Sequence, residues 1–129
     1  MKLFKALLPV PAALLGAVAL YAPATHAQTP AASGAAVFAT CRGCHSTVAG
    51  ARGVGPNLHG LFGRQAGTMP GYAYSPALKA SKIKWDAKSL NEYLEAPSKK
   101  VPGTKMVIRV ADPARRAALI DYLKTETAK

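Results

Sequence analysis

Apolar positions along this chain fall into one long N-terminal run and a few short periodic stripes, separated by stretches where glycine and proline interrupt every pattern. Leu90, Tyr93 and Leu94 recur at i, i+3 and i+4 behind Asp86, which predicts a helix capped by that aspartate and closed by Pro97. Leu119, Ile120 and Leu123 form the same kind of stripe behind Asp112-Pro113, with Tyr122 on its flank, and predict the last helix. Ser75-Pro76 joins a capping hydroxyl to a proline at the first helical position, so a short helix should run through Ala80. A first helix fits Ala35 to about Arg42 and places Val37 and Phe38 just ahead of Cys41. Residues 46–75 and 98–110 read as loops, and no long alternating β-branched run appears. The pattern is all-α, with about four short helices and long loops. Loops of that length are reasonable only if they pack over a large ligand.

The N-terminal run is a different matter. Lys2 and Lys5 give a positive start, Ala6 to Leu20 is apolar, and Ala24-Thr25-His26-Ala27 offers small residues where a signal peptidase reads. This predicts a signal peptide over residues 1–27, cleaved after Ala27, and export to a bacterial periplasm. An uncleaved anchor is the rival reading, but the run contains Pro9 and Pro11 and is short for a span of ~20 residues. Residues 28–33 then form a flexible lead-in and residues 34–129 a single domain.

Charge and composition narrow the picture further. Seventeen basic against 6 acidic residues give a net +11, which predicts an acidic partner surface, nucleic acid or anionic lipid without choosing among them. No nucleic-acid recognition motif accompanies the charge, so docking is favoured over readout. The apolar inventory is thin, with 3 Phe and 1 Trp to offset an ordering cost of roughly 1–2 kcal/mol per residue. Small domains commonly close that gap with a metal, disulfides or a cofactor, and 2 cysteines cannot staple a disulfide framework.

Those cysteines stand in Cys41-Arg42-Gly43-Cys44-His45. A separation of three residues puts both sulfurs on one side of a helical turn, where each can form a thioether along one edge of a haem, and His45 follows directly as a ligand for the iron. A dithiol redox site would want a strand–helix unit that the sequence does not show, and a zinc site would want further ligands at metal spacing. The second axial position separates electron transfer from ligand chemistry, because a strong protein ligand closes the iron to peroxide, oxygen or nitric oxide. The candidates are Met69, His59 and Met106. Met106 is the expected ligand, since it follows the stiff turn Val101-Pro102-Gly103-Thr104-Lys105 far downstream of His45. His59 reads as ordinary exposed loop, and Met69 as surface or packing.

With these residues in view the chain resembles the class I cytochromes c, of the mitochondrial and soluble bacterial branch. The likeness runs through Cys41–His45, the segment Gly55 to Arg64, Pro70 to Ser75, Trp85, Tyr93 to Pro97, Pro102 to Met106 and Leu119 to Leu123, in matching order. It implies the cytochrome c fold wrapped around one covalently bound haem c, with His45 and Met106 on the iron. It also implies that the carbonyl of Pro56 accepts a hydrogen bond from His45, and that Arg64, Tyr74, Trp85 and Thr104 lie near the haem propionates. By the same likeness Tyr93 places its hydroxyl near the methionine sulfur, and Gly34 and Tyr122 mark a crossing of the first and last helices.

The implied activity is that of a one-electron carrier, Fe(III) to Fe(II) and back, and not of an enzyme. The alternative is an open-site haem protein with peroxidase or gas-binding activity, from which Met106 discriminates. The implied partners are acidic surfaces of a bc-type complex, a terminal oxidase, a reaction centre or a periplasmic dehydrogenase, met by a monomer through Arg42, Lys99, Lys100, Lys105 and Arg109. Three departures from the family pattern stand out: Leu78 in place of an amide beneath the haem, Ile108 in place of an aromatic at its edge, and Thr40 and Ser98 in place of docking lysines.

Overall fold

The caps expected from the sequence are the points from which the helices grow. In the computed structural model, which describes residues 33–129, the chain forms α1 (Gly34–Phe38), α2 (Pro76–Ala80), α3 (Ala87–Glu95), α4 (Pro97–Lys100) and α5 (Pro113–Glu126). The expected signal peptide and all but the last residue of the lead-in lie outside the described residues. That last residue, Ser33, is the N-cap of α1, its hydroxyl accepting from the Ala36 amide at 3.3 Å.

Ser75 caps α2 by accepting from the Leu78 amide, and Asp112 caps α5 by accepting from Arg115 at 2.8 Å. Asp86 and Ser89 close a reciprocal box on α3, each side chain bonding the other's backbone N–H at 2.7 and 2.9 Å. Each such cap is worth about 1 kcal/mol.

Two boundaries differ from expectation. The first helix stops at Phe38 instead of Arg42, and tight turns carry the chain on to His45. Thr40 contributes to this, because its hydroxyl donates to the Val37 carbonyl at 2.9 Å and competes with the helical ladder. Pro97 does end α3, yet it also starts α4, so the expected loop over residues 98–110 begins with a helical turn. Proline at the first position has its φ preset for a helix, and Lys99, Lys100 and Val101 all donate back to the Ala96 or Pro97 carbonyls.

The core lies where α1 and α3 meet α5. Val37 and Phe38, Leu90 and Leu94, and Leu119, Ile120 and Leu123 are all buried there. Each such side chain contributes roughly 1.5–3 kcal/mol on leaving water. The crossing of α1 and α5 depends on Gly34, where a Cβ would fall 2.2 Å from the Ala118 carbonyl oxygen and 2.4 Å from Tyr122 Cβ. The α5 stripe has a member that is not apolar: Arg116, one turn ahead of Leu119 and Ile120, is 5% exposed. At its other end α5 runs into Thr127, which is buried and whose carbonyl accepts from the Gly60 amide at 2.6 Å.

The long loop over residues 46–75 is held by pairing and not by helix. Gly63 and Ala66 donate to the Trp85 and Ile83 carbonyls, Trp85 donates to Arg64, and Gln65 and Lys84 form an isolated antiparallel bridge. This pairing lays the loop along the segment that leads into α3 and seats Trp85 against Tyr93, with ring centroids 5.2 Å apart.

A candidate haem cleft

Between the loops lies a cleft that is partly open to solvent. Its walls are largely apolar, from Leu58, Leu61, Leu78, Leu90, Leu94 and Leu123. Cys41, His45, Pro56, Arg64, Tyr74, Trp85, Tyr93, Thr104 and Met106 all line it. Cys44 joins Cys41, His45, Pro56 and Met106 at its mouth. Nine of the ten cofactor-binding residues expected from the sequence therefore line the cleft itself, and Cys44 lines the adjoining pocket. Met69 and His59, the rival ligands, line neither.

The turns after α1 bring His45 into place, its amide and that of Cys44 both donating to the Cys41 carbonyl. Nδ1 of His45 lies 2.7 Å from the carbonyl oxygen of Pro56. A carbonyl only accepts, so Nδ1 carries the proton, and Nε2 is left with its lone pair for a metal. The neighbouring backbone comes unusually close: a Cβ on Gly55 would lie 2.8 Å from Cε1 and 3.0 Å from Nδ1 of the ring. Burial pushes the Cys41 thiol up, opposite to the low-pKa environment of a reactive dithiol site. The donor set fits a haem fastened by two thioethers: a ring nitrogen, a thioether sulfur and two thiols on one apolar cleft.

Polar groups gather at a few points. Arg64 donates to the His59 and Asn57 carbonyls at 2.6 and 3.1 Å, and burial pulls its guanidinium down from the ordinary range while nearby Tyr74 counters. Burial likewise pushes the Tyr74 phenol up, with Arg64 acting against it. An arginine and a tyrosine in a cleft suit a carboxylate taken out of water. Burial raises Tyr93 as well, and its hydroxyl meets Thr104 Oγ1 at 2.5 Å. Thr104 in turn accepts from the Met106 amide at 3.4 Å. The Tyr93 hydroxyl thus engages Thr104, which stands two residues ahead of Met106.

The expected docking residues are exposed but unequal. Lys105 lines both cleft and mouth, with Nζ donating to the Ala73 carbonyl at 2.6 Å. Arg42 folds back over the Phe38 ring and reaches the Tyr122 hydroxyl, and Lys100 pairs with Glu92. Lys99 and Arg109 are exposed and make no such contacts among the described residues.

Sequence reasoning missed several residues. Val54 and Val107, 79% and 78% exposed, line the mouth together with Ile108. Asn57 laces the loop below His45, donating to the Val48 and Ala51 carbonyls and accepting from His59 N–H, all at 2.7 Å. His59 is half-buried, with Nδ1 enclosed and without a hydrogen-bond partner among the described residues, where an exposed loop residue was expected. The sequence marked residues 46–75 as loop, and nothing local marked the bracing within it.

Fold and cleft together define a small all-α haem protein. Residues 31–127 match the cytochrome c family profile. The chain is 50% identical to a cytochrome c of Nigella damascena over 78% of its own length and 96% of that protein. It is 48% identical to a cytochrome c2 of Blastochloris viridis, covering 76% and 79% of the two chains. Among solved structures, cytochrome cH from Methylobacterium extorquens superposes with a TM-score of 0.68 at 47% identity, over 74% of this chain and 97% of that one. The chain belongs to the cytochrome c family. It is an electron carrier and not an enzyme, and its Cys41, Cys44 and His45 motif implies covalently bound haem c.

Proposed function

We propose that the protein is a periplasmic one-electron carrier in which His45 and Met106 ligate the iron in both oxidation states. When bound, the haem supplies the redox chemistry, its iron alternating between Fe(III) and Fe(II). The observation that carries the reading is the His45–Pro56 hydrogen bond, which frees Nε2 toward a cleft that Met106 also lines.

The chain's own residues do the rest. Cys41 and Cys44 provide the thiols for two thioether links. The leucine walls keep water out, and an apolar surround disfavours the extra charge of the ferric state, which raises the potential. Arg64 and Tyr74 serve as partners for the propionates, with Trp85 packed behind. Arg42, Lys99, Lys100, Lys105 and Arg109 orient acidic partners toward the mouth, where Val54, Val107 and Ile108 present an apolar rim. The partners are a bc-type complex, a terminal oxidase, a reaction centre or a periplasmic dehydrogenase, met by a monomer. The leader-like pattern over residues 1–27, with cleavage after Ala27, supports the location.

Purified holoprotein tests this directly. Acidified acetone should leave the pigment attached, the ferric spectrum should show a thioether–iron absorption, and carbon monoxide should bind the ferrous form slowly. Transfer to a partner recovered at low salt should slow steeply as ionic strength rises. Strippable pigment or rapid carbon monoxide binding would overturn the ligation, and salt-independent transfer would overturn the docking.

A further inference from the structure

The segment that carries Met106 is secured at its ends and free between them. Upstream, Val101 is buried, Thr104 holds the Tyr93 hydroxyl, and Lys105 reaches the Ala73 carbonyl. Past Met106, residues 107–109 are exposed and make no backbone hydrogen bond among the described residues. The next fixed point is Val110-Ala111. The Val110 amide donates to the Leu94 carbonyl of α3 at 2.8 Å. Both carbonyls of the pair accept from one group: Nη1 of Arg116 lies 2.9 Å from Val110 O and 2.7 Å from Ala111 O.

Nothing about Arg116 is that of a surface cation. Its side chain is 6% exposed, it occupies a core position on α5, and its Nε donates to Asn91 on α3 at 3.0 Å. The Glu95 carboxylate stands 3.8 Å from Nη2, too far for a hydrogen bond. A buried guanidinium is costly unless its donors are matched, and here the matching acceptors are mainly main-chain carbonyls at the exit of the ligand segment.

We propose that Arg116 is a positioning residue for the sixth ligand: by pinning the 110–111 carbonyls it keeps the Met106 segment closed over the cleft. The inference rests on Met106 being an iron ligand, as proposed above. A thioether–iron bond persists only while its segment cannot swing away, and a fixed exit limits that motion. Arg116 touches neither haem nor Met106.

The test uses ferric holoprotein and imidazole, which competes for the methionine's position. Arg116→Met removes the clamp, Arg116→Lys keeps the charge but reaches fewer carbonyls, and Val37→Ala lowers global stability from a buried α1 residue that lines neither the cleft nor its mouth. Arg116→Met should raise imidazole affinity at least about tenfold, the factor that corresponds to a single charge-assisted hydrogen bond at the low end of its range. Arg116→Lys should fall between it and the parent, and it decides the matter if Arg116→Met does not fold. Val37→Ala should shift the denaturant midpoint while leaving imidazole affinity within about twofold of the parent, because distant sites act independently. If the Arg116 variants raise imidazole affinity no more than Val37→Ala does, the positioning role is overturned and the ligation stands. If the parent protein lacks a thioether–iron absorption altogether, the ligation itself fails, and this inference with it.

Discussion

The two segments proposed to carry the iron ligands are built in opposite ways. On the His45 side, residues 44–60 are cross-braced along their length: Gly55 and Leu58 donate to the Cys44 and Ser46 carbonyls, Asn57 ties three backbone groups, and Pro56 holds the imidazole. On the Met106 side, bonds cluster at the two ends, and Val107 and Ile108 stand in solvent between them. The first segment resists local distortion, whereas the second can hinge as a unit. With His45 and Met106 as the proposed ligands, the braced segment carries the imidazole and the less braced one the thioether, so loss of ligation should begin at the methionine.

The sharpest way to break that contrast is Met106→Ala. If the methionine alone closes the iron, carbon monoxide binding to the ferrous form should accelerate roughly 10- to 1,000-fold, since a closed site admits ligand only through an open state populated at about 0.1–10%. Stopped-flow mixing measures it, and unchanged kinetics would mean that another group closes the site.

Next in size is Gly55→Ala. The added methyl collides with the His45 ring, and overpacking of this kind costs about 1–3 kcal/mol because the braced loop cannot yield. Thermal unfolding of the holoprotein should show the loss, with a shift in reduction potential as the Pro56 contact changes.

Asn57→Ala should cost about 2 kcal/mol, from three hydrogen bonds each worth roughly 0.5–1.5 kcal/mol net. Imidazole affinity on the methionine side should stay within about twofold, and a rise matching that of the Arg116 variants would erase the distinction between the segments.

Tyr93→Phe is the smallest, about 1 kcal/mol for the Thr104 contact. It also has a pH signature. Burial raises the Tyr93 phenol in the folded state, so the unfolded chain ionises first, at a pH of about 10. The stability this group contributes is complete below that pH and is lost as pH climbs through the folded value. Alkaline denaturation should therefore be less steep in Tyr93→Phe than in the parent.

Much of this was legible locally. Ser75, Asp86 and Asp112 cap the helices they were expected to cap, since a cap is decided within three or four residues of chain. Cys41, Cys44 and His45 carry their chemistry in their spacing, and the stiff turn ahead of Met106 singled out a residue that lines the same cleft. Features that depend on distant partners were not legible. Arg116 interrupts an apolar stripe, and its burial makes sense only once its partners, the carbonyls of residues 110–111 and Asn91 on α3, are in place. His59 reads as loop until the folded chain encloses its Nδ1. The early end of α1 turns on a single hydroxyl at Thr40, and α4 on a proline that stops one helix and begins another.

The last helix bears on both segments at once. Its first turn grips the exit of the methionine strap through Arg116, its middle presses on α1 at Gly34 just before the cysteines, and the carbonyl of Thr127 beyond its end catches Gly60 under the histidine loop. It works as a strut spanning the jaws of the cleft. Trimming its final turn should slacken the histidine jaw first, and a graft of this cleft onto another scaffold would have to bring the whole strut with it.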